Sequence, residues 1–361
     1  MCCSSNTKLN ISPVEFKNSA YLQNIKKIIT DGDIPRDCQA CATAEKQGYI
    51  STRLAALQDW DYTQETVPDQ ILYLDLRYSN LCNFSCRSCE PAFSSEIVRE
   101  IQLNPNLAQF YNNSTIPLHI TNDTAMEDIV NLLGTVKRIN FTGGEPLLIK
   151  KNIQILEKLI AVGNTNCEIL ITTNGSIINN NLIELIHQFN SVHWTISIDG
   201  VKHIAEYIRY GSQWDIIDKN IHKILSFNHS VALNTVISAY SVLSIASLVQ
   251  YFASLKETYN NQPLELLCYV CEYPAHLAPT ILPDQLKNIA ITELTSAIDC
   301  LAIIENNPIR TLDTLIHLQK NLIDSTMNTT QLTKFKKFTT ELDNIRNQSF
   351  KQTFGIDLTG E

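Results

Sequence analysis

Cys82, Cys86 and Cys89 stand at Cys-x3-Cys-x2-Cys spacing within Asn80-Leu81-Cys82-Asn83-Phe84-Ser85-Cys86-Arg87-Ser88-Cys89. Soft thiolates suit zinc or an iron–sulfur cluster. Three ligands are informative, because a cubane with four irons then keeps one iron open to an exogenous group. A structural zinc centre takes four protein ligands, and no histidine lies in this loop or soon after it. Further along, Gly143-Gly144-Glu145 combines two residues that let a ligand approach the backbone with a carboxylate able to accept from an ammonium group. Thr172-Thr173-Asn174-Gly175 and Ser197-Ile198-Asp199-Gly200 place small polar groups beside turn-forming pairs. Arg209 offers a guanidinium fork of the kind that pairs with carboxylates. Read singly, each of these also fits an ordinary turn, a structural zinc loop or a surface arginine.

The elements that position these groups follow from hydrophobic rhythm. Apolar, β-branched runs at 71–76, 137–141, 167–172, 192–198, 230–237 and 264–270 alternate with stretches of helical spacing such as 151–162 and 181–189. Six strands alternating with helices predict a parallel α/β sheet. The three-cysteine loop follows the first strand directly, and the polar groups sit at the tips of later strands, where a β/α barrel gathers its chemistry. Upstream, 19–30 predicts a short helix closed by the turn at 31–35, 43–57 a second helix, and 59–70 a polar linker. Beyond Pro274, 285–304, 310–323 and 330–350 predict helices without strands. The expected layout is residues 1–66 as a Cys-containing amino-terminal segment, 67–275 as the barrel core and 276–361 as a helical region.

In order and placement these motifs resemble the radical S-adenosylmethionine (SAM) superfamily, over roughly residues 72–274. The resemblance implies a partial (β/α)6 TIM-like barrel and a [4Fe–4S] cluster on Cys82, Cys86 and Cys89. Its open iron would chelate SAM, whose reductive cleavage yields a 5′-deoxyadenosyl radical that abstracts hydrogen from a substrate. It further implies that Gly143, Gly144 and Glu145 meet the methionine amino group, that Asn174, Ser197 and Asp199 contact the ribose, and that Arg209 pairs with the SAM carboxylate. Asn234 and Val236 are the corresponding adenine neighbours, although Val236 also fits core packing. Ser88 stands where the family usually carries a bulky residue. Such enzymes draw on a reducing donor such as flavodoxin or ferredoxin.

Eleven cysteines are an odd number, and their clustering favours metal over disulfides. Cys38-Gln39-Ala40-Cys41, with Glu45, Gly48, Ser51 and Arg53 after it, resembles the auxiliary-cluster domains termed twitch or SPASM. It implies a second [4Fe–4S] cluster on Cys38, Cys41 and one or both of Cys2 and Cys3. An all-thiolate zinc site and free thiols are the alternatives. Cys268 and Cys271, three apart on a strand, point to opposite faces and read as packing residues; Cys167 and Cys300 read as core thiols.

With 28 basic and 37 acidic residues the formal charge is −9, and no basic block marks a nucleic-acid footprint. No apolar run reaches the roughly 18 residues of a membrane span, and the amino terminus lacks the pattern of a secretory signal, so a cytoplasmic protein is expected. The resemblance to members with accessory clusters makes an oxidoreductase acting on a peptide or protein the leading expectation. A nucleotide or small metabolite is the alternative substrate, and a non-catalytic zinc or iron–sulfur module the alternative class.

Overall fold

The computed structural model describes residues 13–46, 51, 53–54, 70–111, 123–178, 180–304 and 309–358. The chain divides into two units, Met1–Tyr73 with Thr121–Val136, and Leu74–Ile120 with Lys137–Glu361. Among the described residues of the first unit are the helices Pro13–Lys17, Ala20–Thr30, Gln39–Lys46 and Asp123–Leu132. Ser19 starts the second of these by accepting a hydrogen bond from Leu22 N, satisfying one of the donors a helix leaves open at its first turn.

The larger unit is built on strands β1 (Tyr73–Leu76), β3 (Arg138–Phe141), β4 (Glu168–Thr173), β5 (Val192–Ser197), β7 (Ser230–Ile237) and β8 (Leu264–Val270), hydrogen-bonded in that order. Two further two-residue strands, β2 (Ser85–Cys86) and β6 (Arg209–Tyr210), pair antiparallel with each other and stand outside this sheet. Parallel register runs from Arg138↔Glu168 through Ile169↔Val192 and His193↔Ser230 to Val231↔Leu264. With β1 and β8 at opposite ends of the order the barrel is open, a partial (β/α)6 TIM-like barrel. Burial alternates strictly along β7, as expected when one set of side chains enters the barrel and the other meets the helices. Helix Trp214–Leu225 buries Trp214, Ile217, Ile221, Ile224 and Leu225, a stripe at three- and four-residue spacing that gives it one face to pack.

After β8 come the helices Asp284–Ala302, Ile309–Asp324, Thr329–Arg346 and Phe350–Phe354, in the same unit as the sheet. The edge of β8 is not left open: Thr311 Oγ1 donates to Leu266 O at 2.5 Å, which blunts an edge that would otherwise pair with another chain. No helix among the described residues is long and apolar enough to cross a membrane.

At the end of the barrel opposite the strand tips, Trp194 Nε1 donates to His229 Nδ1 at 3.0 Å, so this ring is held neutral with Nδ1 as acceptor. Burial, with His187 and His193 nearby, pushes His229 down from the ordinary 6.5 to about 4. Burial and Lys334 do the same to His276, again to about 4. Both groups take up a proton more readily unfolded than folded. Their contribution to stability is therefore complete above about pH 6.5 and is lost as the pH falls towards about 4. The advantage in urea midpoint of the unaltered chain over His229→Gln should shrink as the pH falls from about 7 to about 4.5, and a difference that stays constant across that range would contradict the assignment.

Candidate active site and cluster loop

The loop Arg77–Pro91 leaves β1 and returns through β2. Ser95 Oγ accepts from Cys82 N and donates to Cys82 O, both at 3.1 Å, and Ser94 Oγ donates to Phe84 O at 2.6 Å. Helix Ser95–Leu103, which Ser94 caps at Ile97 N, thus anchors the loop by its first turn. The β2–β6 ladder sets Cys86 against Arg209. All three thiols are free. Burial pushes Cys82 up to about 11 and raises Cys86 and Cys89 as well, with mutual repulsion adding to the effect at Cys82 and Cys89. Burial opposes the charge of Arg209, yet Cys86 and Asp199 raise its pKa overall.

The diglycine turn packs directly on this loop. Gly144 N donates to Ser79 O at 3.1 Å and Glu145 N to Leu81 O at 2.7 Å. Gly143 has φ 116°, a conformation only glycine adopts readily. Glu145 is fully buried, and its carboxylate faces the protein: it accepts from Thr173 Oγ1 at 2.7 Å, Asn174 N at 2.7 Å and Leu147 N at 3.1 Å. Burial raises its carboxyl pKa, while these three donors pull it back. The carboxylate therefore ties the end of β3 to the end of β4, and the half-buried groups the motif presents are the backbone of Gly143 and Gly144.

Asn174 leans on the cysteine loop. Its Nδ2 lies 2.9 Å from Asn83 Oδ1 and 3.9 Å from Cys82 Sγ, while its Oδ1 accepts from Ser176. Asp199, buried at the end of β5, accepts from Arg209 Nη1 at 2.8 Å and Val236 N at 2.9 Å. The Nε of Arg209 is buried without a hydrogen-bond partner. Ser197 is half-buried at the same strand end. Thus the strand tips and the loop form one polar cluster around three thiols. Thr173, Asn83 and Ser176 join it without having been singled out in the sequence. Thr173 was the most readable of these, since it precedes Asn174 on an alternating strand.

In the first unit, Cys38 ends the turn Arg36–Cys38 and Cys41 lies on helix Gln39–Lys46, three residues on. Cys41 is buried. Glu45 accepts from Ser51 Oγ at 2.5 Å and pairs with Arg53. Cys2, Cys3 and Gly48 lie outside the described residues. Cys268 lies in β8 and Cys271 just beyond it, both buried.

A parallel βα sheet, open between β1 and β8, with thiols and polar groups at its strand tips is an architecture of the partial-barrel class. The family model of the Radical SAM superfamily matches residues 76–239, and this region is a radical SAM domain. Relatives include an uncharacterized protein of Methanocaldococcus jannaschii, 29% identical over 192 residues, covering 51% of this chain and 59% of that protein. A GTP 3′,8-cyclase of Campylobacter jejuni is 29% identical over 170 residues, covering 46% of this chain and 47% of its own length. The chain thus spans about half the length of the curated relatives it matches. Among solved structures, anSMEcpe with bound AdoMet aligns at TM-score 0.44 and 17% identity, over 64% of this chain and 60% of that one. SuiB of Streptococcus suis bound to S-adenosylmethionine aligns at TM-score 0.40 and 13% identity, over 87% of this chain and 60% of that one.

The donor set fits the cluster that this family implies. Among the described residues no three His, Cys, Asp or Glu side chains are grouped to hold a metal ion. Three free thiols on one loop, with Arg209 opposite Cys86 in the β2–β6 ladder, are a donor set of the kind such a group takes.

Proposed function

We propose that the chain is a radical SAM oxidoreductase in which Cys82, Cys86 and Cys89 hold a [4Fe–4S] cluster and the adjoining strand tips hold SAM. When bound, this pair supplies one-electron cleavage of SAM to a 5′-deoxyadenosyl radical able to abstract hydrogen from carbon. The protein's part is to bind, orient and exclude water. The backbone of Gly143 and Gly144 would meet the methionine moiety, with Glu145 holding that turn in place. Arg209, its Nε unspent, would meet the carboxylate, and Asn174, Ser197 and Asp199 would line the ribose. The observation that carries this reading is the seating of the diglycine turn on the cysteine loop, with Glu145 N 2.7 Å from Leu81 O. This contact supports the reading that cluster and cofactor share one wall.

Anaerobic reconstitution with iron and sulfide should give a brown protein that forms 5′-deoxyadenosine from SAM under dithionite. A colourless protein that leaves SAM intact would support a zinc module instead.

A peptide or protein is the proposed substrate, with a flavodoxin or ferredoxin as electron donor and a cytoplasmic setting. A nucleotide is the second reading, favoured by the relatives named GTP 3′,8-cyclase. Deuterium transfer into 5′-deoxyadenosine from a labelled peptide or from labelled GTP distinguishes the two. Cys38 and Cys41, with Cys3, are proposed to hold a second [4Fe–4S] cluster. Replacing both Cys38 and Cys41 by alanine should lower the iron content while sparing uncoupled SAM cleavage, and unchanged iron would remove that assignment.

A further inference from the structure

Arg87 lies between two of the proposed cluster ligands, yet its side chain turns away from solvent entirely, at 0% exposure. Its backbone N donates to Ile208 O at 2.8 Å and its Nε to Tyr207 O at 3.0 Å. The guanidinium carbon sits 3.7 Å from the centre of the Tyr207 ring and 5.4 Å from that of Tyr240, a stacked cation–π arrangement. Nη2 donates to Asp343 Oδ1 at 2.5 Å and to Gln348 Oε1 at 3.0 Å. Asp343 is itself fixed, accepting from the Tyr207 hydroxyl at 2.8 Å and from Phe350 N at 2.7 Å.

Three residues along the same helix, Arg346 makes a two-pronged contact with Glu100, Nε to Oε1 at 3.0 Å and Nη2 to Oε2 at 2.7 Å. Glu100 Oε1 also accepts from the hydroxyl of Ser85, the residue before Cys86, at 3.0 Å. The Arg346 guanidinium lies 4.8 Å from the centre of the Tyr210 ring, and Tyr210 pairs with Ser85 in the β2–β6 ladder. One helix therefore holds the cysteine loop directly at Arg87 and indirectly at Ser85, through Glu100 of the helix that follows the loop. Buried ion pairs of this kind are a poor route to stability, since apolar residues of similar volume do as well or better. What they supply is a fixed geometry and a fixed field.

We propose that helix Thr329–Arg346 is the back wall of the cluster site, with Asp343 and Arg346 as positioning residues that act through Arg87 and Glu100. This rests on the cluster assignment made above. Arg87 belongs to the loop and Asp343 stands behind it, so the cluster feels a positive charge partly balanced from the rear. Charge near a cluster shifts its reduction potential, positive charge favouring the reduced form.

The test uses two isosteric changes behind the loop, D343N and Q348E, in the full chain reconstituted anaerobically. The readouts are the midpoint potential by redox titration and the EPR line shape of the reduced cluster. D343N should shift the potential upward and Q348E downward, because the first removes a negative charge beside Arg87 and the second adds one. D343E, which keeps the charge, should return the potential towards wild type. R346M should release iron to a chelator several times faster than wild type. Should D343N not fold, Q348E alone carries the measurement. Wild-type potential and line shape in Q348E and in any folded D343N would overturn the proposal while leaving the cluster assignment intact. Failure of the unaltered chain to bind iron on Cys82, Cys86 and Cys89 would end both.

Discussion

Replacing Cys86 by alanine is expected to abolish iron binding at the barrel loop and all formation of 5′-deoxyadenosine, while the protein stays folded. Cys86 is the middle thiol of the three, buried in β2 opposite Arg209. Its loss leaves two sulfurs for a group that needs three from this loop. Replacing groups that merely support a metal ligand costs about 10–100-fold in metal affinity or activity, so removal of a ligand should exceed that range. Alanine fills less space than cysteine but introduces no polar atom, and a free thiol packs as a small hydrophobe, so the fold should survive. The matching control is Cys167→Ala. Cys167 is also buried but lies just before β4, outside the polar cluster at the strand tips. It should keep iron and SAM cleavage near wild-type levels. Equal iron in the Cys86 variant and the unaltered chain would remove the loop from the mechanism.

The second large effect is expected at Gly144. A Cβ built there would overlap the carbonyl of Leu81, with Asn80 C also only 2.7 Å away. Both belong to the backbone entering Cys82, and neither can yield as a flexible side chain would. Gly144→Ala must therefore push the cysteine loop away or break the hydrogen bonds from Gly144 N and Glu145 N that seat the turn. Overpacking in a close-packed site costs about 1–3 kcal/mol, and about 1.4 kcal/mol is already tenfold in affinity. The variant should melt at lower temperature, retain less iron and bind SAM at least about tenfold more weakly. Calorimetry of SAM binding to the reconstituted protein reads this directly, and wild-type affinity with wild-type iron would show that turn and loop do not share one site. Gly134, by contrast, has open space around its missing Cβ, so alanine there should be silent in both measurements.

The strand pattern was legible because it is local. Alternation of β-branched residues predicts 230–237 and 264–270 as strands, and these are the limits of β7 and β8. The helices of the barrel and the carboxyl-terminal region follow for the same reason, since an apolar stripe at three- and four-residue spacing needs no partner to be recognised. The three-cysteine loop and the diglycine turn are equally visible, because their spacing and residue types mark a candidate thiolate set and a place where the backbone can be closely approached.

Other features belong to pairings between residues far apart in the chain, which no local rhythm encodes. Strands β2 and β6 are two residues each and mean nothing until Cys86 meets Arg209. The side chain of Glu145 reads in sequence as a ligand's partner, yet folding brings Thr173 and Asn174 to it and turns it inward. Asp199 and Arg209 read as separate ligand contacts and stand in the fold as an ion pair. Arg87 and Asp343, distant in sequence, become one buried contact. The residue types and the chemistry they permit were thus set by the sequence itself. Which of those groups face a ligand, and which hold the others still, was decided only by tertiary packing, because a buried polar group must take whatever partner the fold carries to it.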